Sequence, residues 1–567
     1  MDRLARVAYW SALMAPAAIV LCLVLSYGVN IPYSDQWDFI RYLTLLQNGR
    51  LRVADLFSLH NEHWMVFPKL VMLALAGVTR WNVVAEMLAG VALAAASLMV
   101  VIALARPTLR EMSDAGRLLA SFTISAVLFS LAQWENWLWG WQIQWFLSVL
   151  AAISCLALAT RSLRDPGSPI PVAAAAFAAV VCQFSIASGA ALWIVASLVF
   201  AFHPRRWLIL PLWLALAVAI TALYVVGYHS PPGHPSPWVA FGQPLTLLHY
   251  VANYLSGPLG RHWIIGLGLG AAFVVLAAVA LVRQRQGPDL VLPWIALGLY
   301  AAANAVLTGI GRVGFGAGQG FASRYVTIAL LMPVALVPLG HLALRPGPGK
   351  GWTLLRRVAV AGGAIVLIVL VLKADRDSLD DLHATSLERT VARDCVLSID
   401  EATDDCLRKL YPAPSLVREM TRQLRALAWS GFPATSEQPA GTVRLTSYDG
   451  VRAWRLRPAD REVGWLDHAA LDGDVLTVSG WARHPGGNRA APRRVLVVAG
   501  DVLVGSAEVV LARPDVAAHF SDPDLVSSGW VLRREAFPRP DRPRRFKAYL
   551  VFDDDILVPM GGEAVAG

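Results

Sequence analysis

Eleven apolar stretches, near 7–27, 82–105, 118–133, 143–160, 170–187, 189–203, 208–227, 263–282, 289–308, 326–343 and 357–373, dominate the first two thirds of this chain. A run of about twenty apolar residues is long enough to cross the ~30 Å hydrocarbon core of a bilayer as a helix. Inside that core only helices and closed barrels satisfy their own backbone groups. The expected fold class is therefore an α-helical polytopic membrane protein with about 11 transmembrane helices. Composition agrees, since 56% of the residues are hydrophobic and only 16% charged, outside the usual balance for a soluble domain. The first run follows MDRLAR and has no small-residue cleavage site before the next polar loop, so it reads as a retained span.

Loop charges orient the spans. With the short apolar segment 67–78 read as a juxtamembrane helix, one set of loops holds Arg106, Arg110 and Arg117, then Arg161 and Arg164, Arg205 and Arg206, Arg283 and Arg285. Arg345, Lys350, Arg356 and Arg357 complete the set. All are basic, as cytoplasmic loops should be. Counting 67–78 as a span would invert every one of them. The net charge of +9 thus records topology, and nucleic acid is not an expected partner. Residues 28–81, 134–142, 228–262, 309–325 and the chain after Lys373 fall on the outer side.

Three domains are expected. Residues 1–373 form the membrane part, with outer loop 28–81, and 374–440 a helical linker. Residues 441–567 carry short alternating runs such as VLTVSGWA and FKAYLVF, broken by Gly, Asp and Pro, and read as an extracytoplasmic β-sandwich. Cys395 and Cys406 flank CVLSIDEATDDC in that outer region, where an oxidising compartment would permit a disulfide or leave two free thiols.

The outer loop holds the candidate chemistry. In IPYSDQWDFIRYL, Ser34 reads as an N-cap, Asp35 as the first helical position and Asp38 as a first-turn acid. Acids there serve the helix dipole without any other role. The same loop supplies His60, Glu62 and His63 in HNEHW, then Lys69 at the head of the juxtamembrane helix, and titratable groups gathered at a membrane surface can make a site. HNEH lacks the HExxH spacing of a helical zinc site, so polar packing or substrate contact weighs above a metal role.

These features, with FPKLVMLALAGV, the basic turn ALARPTLR, many further spans and a soluble C-terminal region, resemble the GT-C superfamily of polytopic glycosyltransferases. That superfamily includes protein O-mannosyltransferases and the aminoarabinose transferases of lipid A. The resemblance implies an inverting glycosyltransferase in a bacterial inner membrane. It would take a sugar from a polyprenyl-phosphate-linked donor to a cell-envelope glycan or lipid acceptor. Asp35 would be the base, with Asp38 the other candidate because DQWD stands where the mannosyltransferases have an adjacent acidic pair. Lys69 and arginines of later loops would hold the departing phosphate. No cofactor is certain, and a divalent cation, Mg or Mn, stays open.

The arginine candidates lie in GIGRVGFGAGQGFASRYVT, where glycines at 309, 311, 314, 316, 318 and 320 let backbone amides approach an anion between Arg312 and Arg324, with Tyr325 beside them. Gly-rich turns between helices are also common without a ligand. In WENWLWGWQIQW an interfacial aromatic belt explains most of the five tryptophans, and Glu135, Asn136 and Gln142 are left as possible sugar contacts. Glu86, His249, Asn253, Arg261 and His262 are weaker candidates. A transporter or flippase of lipid-linked saccharides is the alternative. It asks for mid-membrane charges and an internal repeat, and no repeat is visible.

The topology is testable with reporter fusions. A reporter joined after Lys373 is expected to be active only outside the cytoplasm and one at Arg106 only inside; an inside-active C-terminal fusion would overturn the orientation.

Overall fold

The structure is a computed structural model that describes residues 3–228, 233–283, 287–345, 353–397, 399, 402–427, 429, 442–447, 450–456, 462–483, 494–500, 502–537, 543–553 and 556–566. Among them, nine helices are long and apolar enough to cross a membrane: Ala5–Tyr27, Val83–Leu109, Asp114–Leu138, Gly140–Arg164, Arg206–Val225, Trp263–Arg283, Leu292–Phe315, Ser323–Ala343 and Val358–Leu397. The chain is a multi-pass membrane protein.

Two expected spans differ. The apolar runs at 170–187 and 189–203 form the short helices Ile170–Gln183 and Ala187–Phe200. The first has 14 residues, about 21 Å at 1.5 Å per residue, less than the ~30 Å core. Between them the chain doubles back so tightly that a Cβ on Gly189 would lie 2.5 Å from the Cys182 carbonyl oxygen. Because the two come as a pair, the sidedness of everything after them is the same whether both cross or neither does. The helix Val66–Thr79 belongs to the same short class. The span at 357–373 and the polar helix expected after it are one 45-residue helix, Thr353–Leu397.

The chain divides into two units. The first holds 1–28, 51–75 and 84–383, and its helices close on one another at small residues, as helices in lipid must. A Cβ on Gly266 would lie 1.8 Å from the Ala252 carbonyl oxygen, and one on Gly298 would lie 2.2 Å from the Phe273 ring.

The second unit joins 29–50 and 76–83 to 384–567. Its helix Gln36–Gln47 buries Trp37, Phe39, Ile40 and Leu43, and Phe39 packs against Trp81 with ring centroids 6.1 Å apart. Backbone N–H of Ser34 donates to the Leu410 carbonyl at 2.7 Å. Cys395 and Cys406 are disulfide-bonded, linking the end of the long helix to Asp404–Arg408.

The strands that follow are β1 (Thr442–Ser447), β2 (Gly450–Leu456), β3 (Gly464–Asp472), β4 (Val475–Ala482), β5 (Arg494–Ala499), β6 (Val502–Glu508), β7 (Gly529–Arg534), β8 (Arg544–Asp553), β9 (Ile556–Pro559) and β10 (Ala564–Ala566). They form a seven-stranded sheet, β10-β8-β5-β6-β1-β2-β9, and a three-stranded sheet, β3-β4-β7. The two sheets share one core, as the expected sandwich would. The larger one, however, curls until β9 also pairs with β8, giving a half-barrel with a small sheet laid on it. This explains why β5 is apolar on both faces: Val495 and Val497 enter the shared core, while Leu496 and Val498 meet Leu445, Trp454 and Leu557 on the other side.

Two glycines of one helix give a matched test of the packing. Gly266→Ala drives a Cβ into backbone and is expected to cost about 1–3 kcal/mol, seen as a lower thermal midpoint. Gly268, with nothing within 4 Å of its Cβ position, should accept Ala without loss.

Candidate functional site

In the first unit, His60 and His63 exchange backbone hydrogen bonds of 2.8 and 2.9 Å, closing a turn in which Asn61 has a φ of 50°. Asn takes this left-handed conformation more readily than most non-glycine residues. The Tyr224 hydroxyl donates to the Glu62 carbonyl at 2.8 Å, and the Ala187 N–H donates to His63 Nδ1 at 3.0 Å. His63 is thereby left to carry its proton on Nε2, which lies 3.6 Å from Glu62 Oε1.

Around the Glu62 carboxylate the turn meets the end of the helix Leu292–Arg312. Arg312 donates to Glu62 Oε1, and its other terminal nitrogen lies 3.1 Å from His234 Nε2. His234 Nδ1 stands 3.8 Å from Glu62 Oε2. All four side chains are only 17–20% exposed. Burial opposes the charge on Glu62, but the neighbouring His63 and Arg312 outweigh it and hold the carboxyl at about 2. Burial and Arg312 push His234 below its ordinary value, against the pull of Glu62. At neutral pH, then, a carboxylate and a guanidinium neutralise each other beside an uncharged imidazole. An anion that competes for Arg312 would find a preorganised cation.

The glycine-rich segment has two uses. Cβ atoms on Gly309, Gly314 and Gly320 would lie 2.7, 2.4 and 2.6 Å from Leu247, Pro235 and the Tyr250 carbonyl, so these glycines admit neighbouring protein. Gly311, Gly316 and Gly318 face open space. Beyond them, Arg324 donates to Glu135 Oε1 at 3.3 Å and lies 5.2 Å from the centroid of the Tyr325 ring, which in turn stacks on Tyr254 at 5.4 Å. Asn136 clips the two segments together, its amide donating to the Arg324 carbonyl at 2.9 Å and to Thr327 Oγ1 at 2.6 Å.

The aromatic belt expected at 134–145 is corrected here. Trp137, Trp139, Trp141 and Trp145 are at most 6% exposed, so they fill the protein interior, and Trp141 meets the His60 ring edge-to-face with centroids 4.8 Å apart. Lys69 is fully buried. Its ammonium donates to the carbonyls of Leu56 and Ser58 at 3.1 and 2.6 Å and lies 3.2 Å from Ser58 Oγ, which fastens the loop. Glu86 is buried as well, Asn253 donates to the Ala317 carbonyl, and Arg261 pairs with Asp381.

Asp35 and Asp38 belong to the second unit. Ser34 is not the N-cap: it has a φ of 47°, and Asp35 holds the cap position without a side-chain capping bond. The Ser34 hydroxyl donates instead to Asp35 Oδ1 at 3.4 Å. Asp38 sits in the first turn and accepts from the Tyr411 hydroxyl at 3.4 Å. Burial, Asp38 and Asp35 push that phenol up, so it stays protonated and a donor. Nothing in the sequence spacing singles out His234 or Tyr411, because both meet their partners across long stretches of chain.

Among the described residues no group of three or more His, Cys, Asp or Glu side chains is placed to hold a metal ion, and at Glu62 a guanidinium already occupies Oε1. No family model matches the chain, and neither the curated proteins nor the solved structures contain a match to it.

Glu62→Gln tests the cluster. Losing a charged hydrogen bond to Arg312 should remove roughly 1.5–3 kcal/mol, read as a lower thermal midpoint near neutral pH. The carboxyl stands at about 2 in the fold against 4.5 ordinarily, so its stabilisation is complete above about 4.5 and lost as pH falls toward 2. The variant should lack that part of the acid loss.

Proposed function

We propose that this protein is a membrane glycosyltransferase that takes a sugar from a polyprenyl-phosphate-linked donor to a glycan or lipid acceptor on the outer face of a bacterial inner membrane. The observation that carries the reading is Arg312, which ends an apolar helix and has as its only carboxylate partner among the described residues Glu62. Arg324 offers a second guanidinium at the start of another span, paired with Glu135. A lipid phosphate whose chain lies in the hydrocarbon presents its charge at this kind of helix end, and cations there stabilise the phosphate as it departs.

In the proposed reaction an acceptor hydroxyl attacks the anomeric carbon as the bond from that carbon to the phosphate oxygen breaks. The hydroxyl proton passes to a carboxylate, polyprenyl phosphate leaves as the anion, and the centre inverts. For the carboxylate, the resemblance to the GT-C enzymes makes Asp35 the first candidate; Asp38 and Glu62 follow. Glu62 is a poor base while Arg312 holds it. A flippase would want charges at mid-membrane, whereas Glu62, Arg312 and Arg324 lie in a loop or at helix ends.

Asp35→Asn is nearly isosteric and should leave expression and thermal midpoint unchanged while transfer from a lipid-linked sugar falls about 10²- to 10⁴-fold. Asp38→Asn should be milder. Transfer within a small factor of wild type in Asp35→Asn would remove Asp35 as the base.

A further inference from the structure

The small sheet of the second unit carries a feature that the transfer chemistry does not use. Trp465, on the edge strand β3, is 45% exposed, yet its indole is seated on backbone. A Cβ on Gly561 would lie 2.3 Å from Cε3 and 2.5 Å from Cζ3 of the ring, and one on Gly562 would lie 2.8 Å from Nε1 and 3.0 Å from Cε2. Both ends of the indole therefore rest on the two glycines, one face is closed, and Gly562, with a φ of 78°, takes a backbone conformation that suits glycine. The backbone locks the arrangement, since Leu466 N–H donates to the Gly561 carbonyl and Gly561 N–H to the Gly464 carbonyl, each at 2.9 Å.

Polar groups are fixed beside the platform. On the same row of the sheet Trp465 pairs with Trp481, which pairs with Gly529, and the stem of Arg513 lies against Gly529, 2.8 Å from where its Cβ would be. The Arg513 guanidinium donates to Asp467 at 2.5 Å and to Asp515 at 2.8 Å. Two carboxylates are thus oriented by one guanidinium near an exposed aromatic face. Hydrogen bonding from Arg513 depresses Asp515 to about 2, so that carboxylate is an acceptor at any physiological pH.

We propose that Trp465, with Asp467, Arg513 and Asp515, forms a binding site for a neutral glycan chain. A pyranose ring has an apolar C–H face and a rim of hydroxyls: the first suits the open face of a fixed indole, and the second suits oriented carboxylate acceptors and a guanidinium donor. The charge balance selects this occupant. Among the four residues named, one cation stands against two anions, which disfavours an acidic polysaccharide, and carboxylates beside the indole disfavour docking on an anionic lipid surface. The site goes beyond the transfer reading and is measured by binding without turnover, so the failure of either leaves the other standing.

The test uses the full-length protein in nanodiscs and measures retention on immobilised dextran, mannan and β-1,3-glucan, with alginate as the acidic control. Binding to at least one neutral polysaccharide is expected, weakened ten-fold or more by Trp465→Ala and several-fold by Asp467→Asn, with Trp465→Phe retaining part of it and the thermal midpoint of each variant unchanged. If a variant misfolds, competition of wild-type binding by the soluble oligosaccharide of the same polymer supplies the same test. No retention on any neutral polymer, or retention that Trp465→Ala does not alter, overturns the proposal. So does quenching of the Trp465 contribution to fluorescence by brominated lipids in the nanodisc, which would assign the indole to the bilayer.

Discussion

A hydrocarbon layer cannot solvate a peptide group or a charge, and almost everything in this chain follows from that. Among the described residues nine helices are long and apolar enough to cross such a layer, a helix keeping its backbone hydrogen bonds internal, and their mutual packing relies on glycines at which backbone or ring atoms approach within distances no Cβ allows. Polar side chains that cannot be solvated in place are tied to one another: Asn136, Thr327 and Gln133 form a chain of 2.6 Å contacts. The charged candidate residues Glu62, Arg312 and Arg324 accordingly lie in a loop or at helix ends.

At those ends, electrostatics rather than shape distinguishes the candidate residues. Arg312 and Glu62 neutralise each other, Arg324 and Glu135 do the same, and Lys69 is consumed by carbonyl oxygens. A guanidinium held by one contact to a carboxylate is held by an exchangeable partner, because a phosphate can accept from two of its nitrogens and carries more charge. Release of Glu62 from Arg312 would also raise its basicity, since the arginine is one of the groups that hold it at about 2. Donor binding and carboxylate basicity would then be coupled through one side chain.

The sequence made legible what is local and periodic. Spans, basic loops and the alternating C-terminal strands are patterns within a window of ten to twenty residues, and most appear where expected. The helices at 170–200 are shorter than their apolar runs because hydrophobicity measures what lipid tolerates, not where a helix stops, and the stop depends on the tight turn at Gly189. The tryptophans of 134–145 read in the sequence as an interfacial belt because the same side chain serves a lipid boundary and a protein core, and burial decides between them. Ser34 looked like a cap until its backbone took a left-handed conformation. The curl of the larger sheet rests on the pairing of β8 with β9 and of β2 with β9, and the partners of Glu62 and Asp38 come from 250 and 373 residues away. No local pattern encodes such contacts.

The central claim is transfer of a lipid-linked sugar to the cell envelope, and mass spectrometry of envelope glycans and of the polyprenyl-phosphate sugar pool from a strain lacking the gene tests it most directly. The account expects one sugar substituent to be missing from a glycan or lipid while its polyprenyl-phosphate carrier accumulates, both restored by the wild-type gene. Unchanged envelope glycans with an unchanged carrier pool would contradict it.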